Sequence, residues 1–411
     1  MEKFRIDLPQ NVDKIISTLQ KNGYEAYAVG GCVRDSILGR VPGDWDITTS
    51  AMPEETKALF LKTFDTGIEH GTVTVLLDGE GYEVTTYRID GEYEDSRHPK
   101  EVTFTRSLSE DLLRRDFTIN AMAYNHTDGL VDLFGGIEDI NRKVIRCVGD
   151  AHSRFSEDAL RILRGIRFAA QLGFEIEEET RAGMKELAPT LKNISAERIQ
   201  VELIKTVVSP NPALLCDAYE LGITKQFLPE FDEQMKRENG DKVLRLLEQI
   251  RSDKVLRLAV LFNNGLKEDT VKKVLRRLKF DNDTLNKVVR LVRYYDYSIE
   301  TTGKSVRHAV NIIGEDLFSY YLEVCCADIM AESDDMQSMK MDHLNRIKTI
   351  YREIIEKGQC VSLKTLAVSG KDLIQAGMKP GKELGEKLEE FLGLVLDNPE
   401  LNIKEELLSR L

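Results

Sequence analysis

The chain has 411 residues, 42% hydrophobic and 31% charged, which is too long for one core and has the composition of a globular protein of two to four domains. It has no run of 18 apolar residues, and the opening MEKFRIDLPQNVDKI lacks the apolar stretch of a signal peptide, so neither a membrane span nor a leader is expected. The net charge of −13 argues against DNA and against unselective nucleic-acid binding. Six cysteines without CxxC spacing and six scattered histidines exclude a disulfide framework, a zinc site and a histidine-based metal hydrolase, and point to a cytoplasmic protein.

The first 140 residues alternate strand and helix signals. YEAYAVG reads as a strand and CVRDSILG as a short helix. WDITTS reads as a strand, and PEETKALFLKTF as a helix with Pro53 in its first turn. TVTVLLD and YEVTTYR alternate in period two, with Gly79-Glu80-Gly81 as the hairpin turn between them. Residues 90–111 are polar and read as a loop with one short strand, EVTFT. Beyond residue 140 strand signals nearly vanish. SEDALRILRGIRFAAQLGF is expected as one helix capped by Ser156, and SAERIQVELIKTVV as another. The expected fold class is therefore α+β: a head of mixed sheet and helices, followed by an all-helical remainder.

Two stretches of the head carry chemistry. VGGCVRD places Gly30-Gly31 at the start of a helix, where exposed amides and Arg34 suit a phosphate; a tight β–α turn would use the same residues. GDWDITTS follows. In a strand, Asp44 and Asp46 would share a face, as a metal platform or as an acidic turn. A phosphate cradle followed by two same-face carboxylates is what metal-assisted phosphoryl transfer needs, so the metal reading gains from the combination. Trp45, on the opposite face, is expected in the core. Glu83 on the later strand is a candidate third carboxylate or an ordinary solvent-facing residue.

The stretch GGCVRDSILGRVPGDWDITTS resembles motif A of the polymerase-β-like nucleotidyltransferases. More narrowly, it is similar to the class II tRNA nucleotidyltransferase and bacterial poly(A) polymerase group. DLLRRDFTINAMAYN, DLFGGIEDI, EDALRILRGIRFAAQLGF and ISAERIQVELIK resemble motifs B, C, D and E, in order across residues 28–205. The resemblance implies a nucleotidyltransferase head over 1–140, a base-recognising neck over 141–206, a helical body over 207–320 and a tRNA-binding tail over 321–411. It implies Mg²⁺ on Asp44 and Asp46, which are the catalytic pair. Gly31, Arg34, Arg115, Arg164 and Arg167 are then nucleotide contacts, with Asp116 and Asn120 as ribose candidates.

Asp158 and Arg161 are assigned to the base. On one helix they would be i and i+3 and share a face. A carboxylate accepts from the exocyclic amine that C and A carry, and a guanidinium donates to ring nitrogens and carbonyls. Alone, they are also a plain exposed ion pair. Glu157 would hold Arg161 at i, i+4, while Ala159, Ile162, Ile166 and Ala169 bury the other side and Arg167 lies nearly opposite Asp158.

The implied activity is addition of C, C and A to the 3′ end of tRNA from CTP and ATP. The rivals are A-only addition, poly(A) synthesis on the same scaffold, and a non-catalytic RNA-binding protein. Residues 270–310 hold ten Lys or Arg against four Asp or Glu. Lys272, Lys273, Arg276, Arg277, Lys279, Arg290 and Arg293 there, with Lys382 at a helix start, are candidates for gripping the RNA or for plain solvated helix faces. Nothing in the sequence fixes an oligomeric state.

Overall fold

The computed structural model describes residues 5–91, 102–263, 265–332 and 336–411. They form two compact units, Met1–Asp232 and Glu233–Leu411.

The first unit opens with α1 (Gln10–Lys21), whose Val12, Ile15, Ile16 and Leu19 recur at helical spacing and are all buried. Strand β1 (Ala26–Val29) feeds α2 (Gly31–Ile37), β2 (Ile47–Thr49) and α3 (Pro53–Leu59). Then come β3 (Thr63–Gly67), β4 (Thr72–Leu77), β5 (Glu80–Thr86), β6 (Arg88–Asp90) and β7 (Val102–Phe104). Helix α4 (Leu108–Leu113) leads to β8 (Met122–Asn125), β9 (Gly129–Asp132) and α5 (Gly136–Arg142). The main sheet has the order β3-β4-β5-β2-β1-β8-β9. β2 runs parallel to β5 and antiparallel to β1, with Ile47 opposite Ala28. Tyr27, Val29, Tyr87, Leu112 and Ala123 form one of its buried clusters.

The β4–β5 hairpin turns on two residues, Asp78 (φ 51°) and Gly79 (φ 86°). Two successive positive φ angles define the turn whose twist matches antiparallel strands, so it lies one residue earlier than the expected Gly79-Glu80-Gly81. Helix α3 ends at Leu59, and the last two residues of the expected helix, Thr63 and Phe64, open the largely exposed strand β3. The expected EVTFT strand is β7, paired with β6. Residues 92–101 of the expected loop lie outside the described residues, and residues 108–111 already belong to α4.

The helical part of this unit holds α6 (Ala151–Glu157), α7 (Leu160–Leu172), α8 (Glu178–Leu187) and α9 (Ala196–Val207). The single helix expected through SEDALRIL is broken. Ser156 lies inside α6, whose N-cap is Asp150, accepting from the Ser153 amide. The chain is extended at Asp158 (φ −137°, ψ 103°) and restarts as α7. Ala159, Ile162, Ile166 and Ala169 are buried as expected, and α7 packs along α9.

The second unit is helical. Its helices Glu268–Arg277 and Asn282–Arg293 bury Val271, Val274, Leu275, Leu285, Val288 and Leu291 on their inner faces. Its end is organised around Leu373, Phe391, Val395 and Leu407. No helix among the described residues is long and apolar enough to cross a membrane, and all six cysteines are free.

Candidate active site

A cleft of about 640 Å³ in the first unit is lined by Gly31, Arg34, Asp44, Asp46, Arg115, Asp158, Arg161, Arg164 and Arg167 together. These are the nine residues singled out from the sequence. The cleft also takes in Arg114, Arg198 and Lys205. Among the described residues eight cationic side chains then face five aspartates, in a chain whose net charge is −13. Low-dielectric walls focus such a field on a bound polyanion.

The sharp β1–α2 turn builds one wall. Gly30 has φ 81° and ψ −127°, a conformation that essentially only glycine adopts. A Cβ there would stand 3.0 Å from Arg115 Nη1, so the missing side chain also makes room for that guanidinium. One turn on, Arg34 donates from Nη1 to Asn120 Oδ1 at 2.5 Å and pairs with Asp35 at 2.9 Å. Asn120 Nδ2 donates to Asp116 Oδ1 at 3.1 Å, and Arg164 Nε donates to Asp116 Oδ2 at 2.6 Å. Helices α2 and α7 thus meet through one chain of polar contacts. Asp116 is buried, which alone would raise its pKa, but Arg164 and the Asn120 amide outweigh this and hold it at about 2. Both ribose candidates are thereby engaged with arginines.

Asp44 and Asp46 stand in the extended segment just before β2, not within it. Both line the cleft, and both also line a second cavity of about 600 Å³ with Trp45, Tyr82 and Glu83. Trp45 is half-buried on that cavity wall, not in the core, because the short strand starts two residues after it. Asp46 remains open to solvent. The cleft walls still displace part of its hydration, which raises its pKa; Arg115 opposes this and Asp44 adds to it. Two hard carboxylates with excess negative charge suit Mg²⁺, and the nearby Cys32 thiol is buried with its pKa pushed up to about 11, which leaves it protonated and a poor ligand. Among the described residues no three acidic, His or Cys side chains converge into a metal cage, so Glu83 shares the cavity without completing one. Further ligands would have to come from a substrate phosphate and water.

The break before α7 changes the expected geometry. The side chain of Asp158 is held by Arg198 of α9, Nη2 to Oδ2 at 2.8 Å, and caps the Leu160 amide at 3.0 Å. Because Asp158 is not helical, it and Arg167 face the same cleft rather than opposite sides. Arg161 is gripped as expected by Glu157 (2.5 Å) and also by the backbone carbonyls of Arg154 and Arg114, each at 2.9 Å. Arg167 pairs with buried Glu202 at 3.1 Å. Desolvation pulls Arg167 down to about 10 despite that partner, so it stays protonated at neutral pH. The sequence reading passed over Arg198, Glu202 and Lys205. Their signal was present in ERIQVELIK, where they recur at positions i, i+4 and i+7.

Three family models match in succession: the poly A polymerase head domain over residues 26–146, the probable RNA and SrmB-binding site of polymerase A over 173–235, and tRNA nucleotidyltransferase domain 2 over 236–411. The chain is 39% identical over 376 residues to the CCA-adding enzyme of Levilactobacillus brevis, covering 90% of this chain and 89% of that one. The chain belongs to the CCA-adding enzyme family. It is a nucleotidyltransferase with a mixed-sheet head and a helical remainder. The Bacillus pumilus CCA-adding enzyme is 40% identical, covering 95% and 94%. Among solved structures, the Bacillus stearothermophilus CCA-adding enzyme in complex with CTP superposes with a TM-score of 0.78 at 34% identity, covering 98% and 96%. Enzymes of this family are metal-dependent.

Of the cations expected to grip RNA in the second unit, Arg293 is paired with Glu268, and Arg290 with Asp316 at 2.9 Å. Lys273, Arg276, Arg277 and Lys279 are exposed. Lys382 is exposed and pairs with Glu386 at 3.1 Å.

Proposed function

We propose that this chain adds C, C and A to the 3′ end of tRNA from CTP and ATP, without a nucleic-acid template and with release of pyrophosphate. One observation carries the reading: Asp44 and Asp46 share a single cleft with Asp158 and Arg161. A reacting centre and a base reader are therefore within reach of one nucleotide.

In this reading Asp44 and Asp46 hold Mg²⁺. Bound there, Mg²⁺ would lower the pKa of the acceptor hydroxyl and neutralise charge on the leaving pyrophosphate. Arg34, Arg115, Arg164 and Arg167 orient the triphosphate, with the Gly31 backbone beside them. Asp158 accepts from the amine on the Watson–Crick edge of C or A, and Arg161 donates to the neighbouring ring positions. U and G present a carbonyl where the amine is needed, which faces the Asp158 carboxylate unfavourably. Arg161 enters the reaction already held by three acceptors, so little conformational entropy is lost on binding. Arg198 holds the Asp158 carboxylate in place for the base. The four-part organisation into head (1–140), neck (141–206), body (207–320) and tail (321–411) fits these roles, with the exposed body and tail lysines and arginines meeting tRNA phosphates. The reaction belongs in the cytoplasm, where tRNA is charged.

The test uses purified protein, Mg²⁺ and tRNA lacking its terminal CCA. CTP alone should give two additions, and CTP with ATP the full CCA, with no product from UTP. Addition of A alone would replace this reading by A-only transfer, and long A tails on unstructured RNA would replace it by poly(A) synthesis.

A further inference from the structure

Three guanidinium groups converge on the ring of Phe168. The guanidinium carbons of Arg167, Arg34 and Arg164 stand 4.2, 5.0 and 5.4 Å from its centroid. Phe168 is only 5% exposed, yet it lines the cleft. Its ring is fixed by an edge-to-face contact with Phe117, centroids 5.8 Å apart and planes at 82°. Phe117 follows Asp116, the carboxylate that holds Arg164.

Gathering like charges is costly. Arg164 and Arg34 both act to lower the proton affinity of Arg167. Each arginine has its own carboxylate: Asp35 for Arg34, Asp116 for Arg164 and Glu202 for Arg167. Asp116 and Asn120 link Arg164 to Arg34, but Arg167 has its carboxylate on α9, outside that chain, so these contacts do not gather all three guanidinium groups. The aromatic ring does, because its negative face attracts each cation while bringing no charge that would repel a phosphate. An aliphatic side chain of similar size would fill the same space without that attraction.

We propose that Phe168 is a positioning residue that holds Arg34, Arg164 and Arg167 as one preassembled seat for the triphosphate of the incoming nucleotide. The proposal rests on reading the cleft as a nucleotide site. The seat joins one arginine from α2 to two from α7, so the ring ties the phosphate-binding charges of head and neck together. Base reading by Asp158 and Arg161 does not pass through it.

The test compares the full chain carrying Phe168→Leu, Phe168→Met or Phe168→Tyr with the wild type. CTP and inorganic tripolyphosphate are titrated by calorimetry, and CTP-over-UTP discrimination is measured in the addition assay. Phe168→Leu should weaken both ligands about tenfold, the scale of one or two desolvated cation–π contacts. The KM for CTP should rise with it, while kcat at saturation and base discrimination hold. Phe168→Met, which keeps an apolar side chain, should repeat the loss. Phe168→Tyr, which keeps the ring, should bind within about twofold of the wild type. Wild-type affinity for tripolyphosphate in the Leu and Met variants would overturn the proposal. So would failure of Phe168→Tyr to retain binding, or loss of base discrimination in step with affinity. If the wild type itself binds neither CTP nor tripolyphosphate, the nucleotide reading of the cleft falls first, which separates the two failures.

Discussion

Asp116 shows how one buried carboxylate organises the cleft. Its pKa is held at about 2 against an ordinary value of 3.8. A depressed acid stabilises the fold at pH values above the unfolded pKa, and the contribution is lost as pH falls through the folded pKa. Asp116→Asn should therefore cost about 2 kcal/mol at pH 7. The gap to wild type should shrink between about pH 4 and pH 2, read by urea unfolding across that range. At Gly30 the backbone itself is the constraint. Gly30→Ala combines a strained φ with a Cβ 3.0 Å from Arg115. It should destabilise the head by about 1–3 kcal/mol and raise the KM for both nucleotides, measured by thermal unfolding and steady-state kinetics. Replacing Asp44 or Asp46 by Ala should abolish C and A addition alike, with CTP affinity measured without metal largely kept.

At the scale of elements, the break between α6 and α7 decides which partners Asp158 and Arg161 meet. A continuous helix would have paired Asp158 with Arg161 on one face. The break frees Asp158 to meet Arg198, and leaves Arg161 to Glu157 and two carbonyls. Asp158→Ala should blur the choice between CTP and UTP while sparing the metal pair. Glu157→Gln should loosen Arg161 and cut the same discrimination by a smaller factor, since one charged contact of four groups is changed. Competition between CTP and UTP in the addition assay reads both. The periodicity of Ala159, Ile162, Ile166 and Ala169 was legible and correct, yet it begins only after the break, which no Gly or Pro marks. The one local clue is Asp158 itself, whose side chain caps the Leu160 amide, as Asp commonly does at a helix start. Strand β3 was missed for a related reason. Its pattern is largely exposed, and pairing with β4 rather than burial of its own side chains makes it a strand.

For the whole molecule, a chain of charge −13 carries a cleft with eight cations and five aspartates among its described residues. Attraction for a nucleoside triphosphate should therefore weaken as salt shortens the Debye length from about 10 Å at 0.1 M. KM for CTP should rise with ionic strength while kcat changes little. Ligand linkage adds a second expectation. CTP at 100 times its Kd stabilises what it binds by about 2.7 kcal/mol. Hydrogen exchange should show the direct protection within Met1–Asp232, whose residues alone line the cleft.

By itself the sequence determined the fold class and most elements of the head, and its resemblance to the nucleotidyltransferase motifs pointed to nine residues that line one cleft. The elements depend on local periodicity and turn chemistry, and the resemblance on motifs of side-chain type, all of which are written in short stretches of chain. Only the tertiary structure decided which charge meets which. Arg198 lies 40 residues from Asp158, and Asn120 lies 86 from Arg34. The sequence carries no local mark of such pairs, because buried charges take whichever partner packing brings within hydrogen-bond distance. The convergence of Arg34, Arg164 and Arg167 on Phe168 has the same origin: α2 and α7 are distant in sequence, and packing alone brings their side chains to one ring.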